Sequence, residues 1–285
     1  MPTTDSRRTD TVMMSYLLLT ALLIVLFHQT VPQWKTLVGV HLLVVILIAV
    51  LRFIPGSAPV FIRLSRDWYP VVAFPLLYKE VEFLAAAFGN WGLTEPIRSL
   101  EVSLFAGHPS IYLSELLAWA PLSEYLHLCY LSHVLILPAV GGYWYHTRRD
   151  TFYELIFLVS VVLSTSYLFF ILFPVDSPFY LADPLPASLR DHFFHDIVHY
   201  VADRGGARGG AFPSTHVSVS TTIGLVAWYR QRQIAYWLLL LVPGLIFATV
   251  YGRFHYVLDI ITGFALAVTV FFFWVSSQRS ASDTE

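Results

Sequence analysis

Long runs of apolar residues recur along the chain, and short polar stretches separate them. A helix needs about 20 mostly apolar residues to cross a bilayer, and several runs approach or reach that length. They are Val12–Thr30, Thr36–Ile54, Leu122–Tyr145, Phe152–Phe173, Ser214–Tyr229, Ile234–Tyr251 and Asp259–Val275. Backbone in lipid must satisfy its own hydrogen bonds, so we expect each run to be helical. The pattern predicts an all-α fold, a polytopic transmembrane helical bundle.

The segment Pro55–Pro121 departs from this pattern, because charged residues are scattered among its aromatic residues and prolines. We expect helices that lie in the membrane interface, with a re-entrant piece around Trp68–Phe88 as one option. A full crossing at Trp68–Phe88 would instead give eight spans rather than seven. The first apolar run follows Arg7 and Arg8 and lacks a small-residue cleavage site. We therefore interpret it as a retained span that forms a hairpin with the second.

Arginines are concentrated in turns that alternating spans place on one side of the membrane. They are Arg148 and Arg149, Arg230 and Arg232, and Arg279. Short loops rich in arginine and lysine are usually cytoplasmic. The loop Pro174–Phe212 and the turn Tyr251–His255 would then both face the extracytoplasmic side.

Composition supports an integral membrane protein and excludes one class of partner. Hydrophobic residues make up 56% of the chain and charged residues only 13%, with a formal net charge of −2. This balance gives no reason to expect nucleic-acid binding. The single cysteine, Cys129, excludes an intramolecular disulfide. We expect the protein to reside in a bacterial inner membrane or a plasma membrane.

Two short motifs, Ala211–His216 and His255–Asp259, place histidines at the edges of apolar runs. Titratable groups are costly there and usually functional. In the second, His255 and Asp259 are four residues apart at a helix start, so they share one face. A carboxylate bonded to one imidazole nitrogen makes the other nitrogen a better nucleophile or base. In the first, Ala211–His216, Ser214 can cap a helix whose N–H groups would attract an anion. A phosphate there would have His216 as proton donor and Arg253 as a neutralising charge.

These motifs resemble those of the type 2 phosphatidic acid phosphatase superfamily of membrane lipid phosphatases and phosphotransferases. The resemblance covers about residues 116–275 and implies a six-helix core with extra N-terminal helices. It implies that His255 attacks phosphorus to give a phosphohistidine, that Asp259 orients it, that His216 protonates the leaving group and that Ser214 binds phosphate. The fuller motifs, together with Phe173–Pro178, are similar to the inositol phosphorylceramide synthase-like branch.

The chain departs from the superfamily pattern in its phosphate-binding residues. Thr215 replaces the usual glycine, and Thr249 stands where an arginine is usual, six residues before His255. The first motif of the superfamily, which contains a lysine and an arginine, has no clear match in this sequence. Among the loop arginines, Arg208 is the preferred substitute, because it is closest in sequence to Ser214. The predicted phosphate-binding set is Ser214, Thr215, Arg208 and Arg253.

The expected organisation is an N-terminal transmembrane hairpin and interfacial segment over residues 1–115 and a catalytic core over residues 116–285. We expect no cofactor and no metal. The substrate would be a phosphorylated lipid in the bilayer, and the acceptor would be water in a phosphatase or an alcohol such as inositol in a transferase.

Two alternatives stay open at this stage. His192, His195 and His199 share a predicted helical face and could ligate zinc in a metal-dependent membrane hydrolase. The apolar stripe on the other face of that helix favours a surface helix, or a lid, over a metal site. A non-enzymatic lipid transporter could also keep the two motifs as headgroup contacts.

Overall fold

The computed structural model describes residues 4–88 and 92–282, and the described residues form a bundle of α-helices. The helices are α1 Thr4–Leu26, α2 Trp34–Leu51, α3 Val60–Phe88, α4 Thr94–Phe105, α5 Pro109–Leu116, α6 Ala120–Thr147, α7 Arg149–Leu172, α8 Phe193–Gly205, α9 Thr215–Arg230, α10 Arg232–Leu238, α11 Val242–Tyr251 and α12 Val257–Ser282. Short 3₁₀ turns at Pro178–Tyr180 and Ala187–Leu189 interrupt the loop between α7 and α8.

The prediction of an all-α polytopic bundle is confirmed. In the described residues, six helical segments are long and apolar enough to cross a membrane. They are α1, α2, α6, α7, the broken pair α10–α11, and α12. Helix α9 is shorter, and the serine and threonine side chains on it are largely buried.

The basic turns gather at one end of the bundle. Arg148, between α6 and α7, donates to the backbone carbonyl of Arg230 at the end of α9, 3.4 Å away. Arg52, just after α2, donates to the carbonyl of Arg7 near the start of α1 at 3.2 Å. Tyr145, near the end of α6, donates to Asp67 near the start of α3 at 2.9 Å. The arginines that suggested a cytoplasmic side therefore share one end of the molecule.

Helix α3 runs from that end to the opposite one, which differs from the expected interfacial or re-entrant segment at Trp68–Phe88. Near its other end, Lys79 donates to the carbonyl of Gly206 in the loop before α9, at 2.9 Å. The charges on α3 that argued against a crossing have partners inside the protein. Glu80, for example, lies 3.4 Å from Nε2 of His41 on α2. Charged groups are tolerated at such depth when they are paired and face other helices.

If α10 and α11 are counted as one broken helix, eight helical segments of the described residues run from one end of the bundle to the other. They are α1, α2, α3, α6, α7, α9, α10–α11 and α12. Both the start of α1 and the end of α12 then lie at the basic end. Helices α4 and α5 are short and lie at the other end, where Glu101 of α4 contacts the start of α12.

Helix α7 is the centre of the bundle, packed by α1, α3, α6, α9 and α12. Its side chains Phe152, Leu155 and Leu158 are fully buried, as is Trp144 of α6. Between helices in lipid, close van der Waals packing and interhelical polar contacts stabilise the assembly. The large buried set on α7 therefore holds the N-terminal helices and the C-terminal helices in one unit.

An ion pair between α7 and α9 supports this packing, and we expect its loss to destabilise the protein. Arg230 bonds both carboxylate oxygens of Glu154, at 2.5 and 2.8 Å, and the Glu154 side chain is only 10% exposed. Arg230→Ala would leave the largely buried Glu154 carboxylate without its partner and should cost about 1–3 kcal/mol. The midpoint of thermal unfolding in detergent, followed by circular dichroism, measures the change.

Arg8→Ala is the matched control, because its pair with Asp5 has a 45% exposed arginine side chain. Exposed pairs contribute about 0–1 kcal/mol, so this variant should unfold near the wild-type midpoint. Equal shifts in the two variants would contradict a structural role for the Glu154–Arg230 pair.

Candidate functional site

The two histidine motifs meet where helices α9 and α12 begin. The N–H of Ser214, the residue before α9, donates to the backbone carbonyl of Asp259 in the first turn of α12 at 3.0 Å. Gly263, one turn further along α12, lies directly against the backbone of Ser214. A Cβ built at Gly263 would be 2.5 Å from the Ser214 carbonyl oxygen. The close approach of the two helix starts therefore depends on a residue without a side chain at this position.

Asp259 holds the imidazole of His255 in one orientation. The Nδ1 of His255 lies 3.2 Å from Oδ2 of Asp259, and the backbone N–H of Tyr256 donates to the same oxygen at 2.9 Å. Both side chains are buried, and in the described residues Oδ1 of Asp259 has no hydrogen-bond partner. A carboxylate only accepts, so Nδ1 carries the proton and Nε2 of His255 keeps a free lone pair.

That lone pair points to the second histidine. Nε2 of His255 lies 3.2 Å from Nδ1 of His216, so the His216 Nδ1–H is the donor. The order of groups is then Asp259, His255 and His216, a carboxylate followed by two imidazoles. A reacting group placed between the two histidines would replace the hydrogen bond between them and touch a base on one side and a proton donor on the other.

Both histidines open onto a cavity of about 380 Å³ between α3, α6, α7 and α8. Most of its wall is aliphatic or aromatic, with residues such as Phe74, Leu137 and Val201. Thr215 and Ser177 also line the cavity, together with several tyrosines. The cavity therefore combines a polar end at the histidines with an apolar body.

Ser214 and Thr215 lie at the start of α9, as the sequence predicted. The Ser214 hydroxyl accepts the backbone N–H of Val217 at 3.4 Å and caps the helix. The other N–H groups of the first turn have no partner within an α-helix, and with the helix dipole they favour a bound anion. Ser214 is fully buried and Thr215 is 7% exposed, so an anion would reach them only through the cavity.

The two arginines of the predicted phosphate-binding set are directed elsewhere. The buried guanidinium of Arg253 bonds the Ser114 hydroxyl at 2.8 Å and the carbonyl of Asp183 at 2.6 Å, and it is absent from the cavity wall. Burial lowers the pKa of Arg253. Arg208 is 61% exposed, 3.9 Å from Asp176, beside the cavity-lining residue Ala207. Their phosphate-binding roles stay predictions.

The histidines near α8 do not come together as the metal-site alternative would require. His192 precedes α8 and contacts the Ser188 carbonyl, whereas His195 and His199 stack on each other and pack against His127 of α6. The described residues contain no group of three or more histidine, cysteine, aspartate or glutamate side chains arranged to hold a metal ion. Helix α8 instead covers the cavity with Val198 and Ala202.

Several neighbours of the site were not predicted from the sequence. Tyr130 and His133 of α6 contact the ring of His216, at centroid distances of 4.7 and 4.3 Å. The carboxylate of Glu101 accepts the N–H of Val257 at 2.7 Å and caps α12. Ser177 donates to the carbonyl of Phe254, next to His255. The i, i+3 spacing of Tyr130 and His133 could have predicted that they share one helical face. The contact of Glu101 with α12 could not have been predicted, because the two are too distant in sequence.

Comparison with known proteins gives one match. The sequence model of a family described as the PAP2 superfamily matches residues 95–273, which includes the whole of both histidine motifs. No curated protein and no solved structure matches the chain significantly.

Gly263→Ala tests the close approach of α9 and α12. The new methyl group would press on the Ser214 backbone, which cannot rotate away as a flexible side chain could, and should destabilise the protein by about 1–3 kcal/mol. Gly224→Ala is the matched control, because nothing lies within 4 Å of a Cβ at this position inside α9. Alanine is favoured over glycine in a helix by roughly 1 kcal/mol, so the control should be neutral or stabilising. Thermal unfolding of both variants decides between these expectations.

The pairing of α8 with α6 should weaken in acid. Burial, with the neighbouring His195 and His127, lowers the pKa of His199 to about 4. Below about pH 6.5 the unfolded chain binds a proton at this position and the folded protein does not, so stability falls as the pH drops towards 4. We expect His199→Gln to reduce the difference in unfolding midpoint between pH 7 and pH 5. His192→Gln, at a half-buried site before α8, should leave that difference at its wild-type size. An unchanged difference in His199→Gln would argue against a half-buried, neutral His199.

Proposed function

The chain belongs to the PAP2 superfamily, and from that membership we propose that it is a membrane-embedded phosphoryl-transfer enzyme that acts on phosphorylated lipids. One observation carries the proposal. His255, with Asp259 behind it, faces His216 at 3.2 Å on the wall of an apolar cavity. A nucleophile, its orienting carboxylate and a proton donor are thus within reach of one point.

In the first step, the lone pair on Nε2 of His255 attacks phosphorus. The N–P bond forms while the bond from phosphorus to the lipid oxygen breaks, and His216 gives a proton to that leaving oxygen. The product is a lipid alcohol and a phosphohistidine. Asp259 stabilises the positive charge that develops on the imidazole of His255 and keeps its Nδ1 protonated.

In the second step, an acceptor hydroxyl attacks the phosphohistidine, its proton passes to His216, and the N–P bond breaks. If the acceptor is water, the enzyme is a phosphatase. If it is an alcohol such as inositol, the enzyme is a phosphotransferase that forms a new phosphodiester from a phosphodiester donor. The similarity of the motifs to the inositol phosphorylceramide synthase-like branch supports the second option.

Binding of the phosphate would rely on the start of α9. Thr215 lines the cavity beside His216, and Ser214, whose hydroxyl caps α9, precedes it, so the first turn of the helix is the proposed anion site. Arg208 at the rim would attract the anionic headgroup, and Arg253 would add positive charge at longer range. The proposal needs no bound metal and no cofactor.

We propose that the site faces the extracytoplasmic side of a bacterial inner membrane or a plasma membrane. The basic turns share the end of the bundle opposite to the histidine motifs, and basic ends are usually cytoplasmic. The apolar body of the cavity supports a substrate whose chain remains at membrane depth while its headgroup reaches His255.

His255→Ala should abolish activity, lowering kcat by at least about 10³-fold, because the nucleophile is lost. Asp259→Asn should lower it by about 10²-fold or more, since the amide can hold the wrong tautomer. The assay is release of phosphate from phosphatidic acid, or formation of a new phosphodiester from phosphatidylinositol and an alcohol acceptor, by purified protein in detergent. Vanadate should inhibit, and activity should persist in EDTA. His192→Ala, outside the cavity, should behave as wild type.

The alternatives give different results. Loss of activity in EDTA together with an active His255→Ala variant would indicate a metal-dependent hydrolase. Lipid movement across liposome membranes with no phosphate release, equal in wild type and His255→Ala, would indicate a transporter.

A further inference from the structure

One aromatic ring of α6 contacts both histidine motifs. Tyr130 stacks on His216 with centroids 4.7 Å apart and planes 23° apart. It also stacks on Phe254, the residue before His255, at 4.2 Å and 25°. Phe179 continues the stack beyond Phe254 at 5.6 Å. The position of one histidine motif relative to the other therefore depends on Tyr130.

The surroundings of His216 offer little to stabilise a positive charge. The titratable groups that face it are Tyr130 and His133 on α6 and His255 in the loop before α12, with Asp259 of α12 beyond His255. Helices α7, α10 and α11 bring no charged side chain of the described residues to it. Among those residues, no carboxylate forms an ion pair with His216. The face of an aromatic ring is then the nearest group that can attract an imidazolium.

We propose that Tyr130 is a positioning residue for His216: its ring holds the imidazole against His255 and stabilises the protonated form of His216. This rests on the proposed function, because protonated His216 matters only where it donates a proton to the leaving oxygen. The ring carries this role and the hydroxyl does not, since the Tyr130 hydroxyl makes no hydrogen bond with the described residues.

The ring has two proposed effects, orientation of the imidazole and stabilisation of its positive charge, and both follow from the same stacked contact. A stacked ring restricts rotation of the imidazole, which keeps Nδ1 of His216 directed at Nε2 of His255. The same face-on geometry places the electron-rich ring face against the imidazolium, within the roughly 6 Å range over which such contacts act. An aliphatic side chain of similar volume could fill the space but could supply neither effect.

The test compares Tyr130→Leu, Tyr130→Phe and the control Tyr125→Leu, which removes a 45% exposed ring from the same helix outside the cavity. Phosphate release from phosphatidic acid is measured against pH for each. Tyr130→Leu should lower kcat by about 10–100-fold and move the alkaline limb of the profile down by about one pH unit. Tyr130→Phe should recover most of both losses. The control should keep the wild-type profile.

A second measurement does not depend on activity. The titration of His216, followed by nuclear magnetic resonance of isotope-labelled histidine, should have a midpoint about one pH unit lower in Tyr130→Leu than in wild type. Tyr130→Phe should restore it. If the leucine variant does not fold, Tyr130→Met replaces it, because methionine fills a similar volume without a ring.

An unchanged titration midpoint and alkaline limb in Tyr130→Leu would overturn the assignment. Equal impairment of Tyr130→Phe and Tyr130→Leu would also overturn it, since the hydroxyl would then be responsible. If the midpoint shifts as expected while wild type and His255→Ala both lack phosphoryl transfer, the stacking role holds and the proposed function fails.

Discussion

The contact between the start of α9 and the first turns of α12 is the constraint on which the candidate site depends. The N–H of Ser214 bonds the carbonyl of Asp259, and Gly263 leaves room for the Ser214 backbone. Two positive helix ends are thereby brought to one place at the edge of an apolar region. The carboxylates of Glu101 and Asp259 already accept the N–H groups at the start of α12, so the first turn of α9 is the helix end that remains to favour an anion.

The same contact sets the distance between the two histidines. His216 follows Ser214 by two residues on α9, and His255 is tied to Asp259 on α12. A small slip of one helix against the other would therefore change the 3.2 Å separation of the histidine nitrogens. The buried packing of α7 against α9 and α12 resists that slip. The packing of these helices thus controls the distance between the two histidines.

The sequence was informative wherever the relevant partners are close along the chain. The apolar runs predicted most of the helices, and the spacing of His255 and Asp259 predicted their contact. The spacing within Ala211–His216 predicted a helix start at Ser214. Arg148 and Arg230, on which the orientation prediction relied, share one end of the bundle; the membrane side of that end stays a prediction.

The sequence did not show contacts between residues that are distant along the chain. The charged residues of α3 argued against a full passage through the membrane. The sequence did not show that one of them, Glu80, would face His41. The phosphate role of Arg253 stays a prediction from its proximity to His255, and the sequence did not show that Ser114 and the Asp183 carbonyl, more than sixty residues away, would bond its guanidinium. A single sequence shows that a charged residue needs a partner, and it does not show which one.

Because Arg253 bonds groups outside the cavity, the source of positive charge at the proposed phosphate site has to be sought elsewhere. A phosphoryl group carries negative charge, and positive charge near it must come from groups that point into the cavity. With Arg253 bonded elsewhere and Arg208 at the exposed rim, the groups that remain are the first turn of α9 and the histidines themselves. An imidazolium in apolar surroundings is costly unless something stabilises it. In the proposed mechanism the aromatic stack on His216 reduces that cost without adding a permanent charge, which suits a cavity whose wall is mostly apolar.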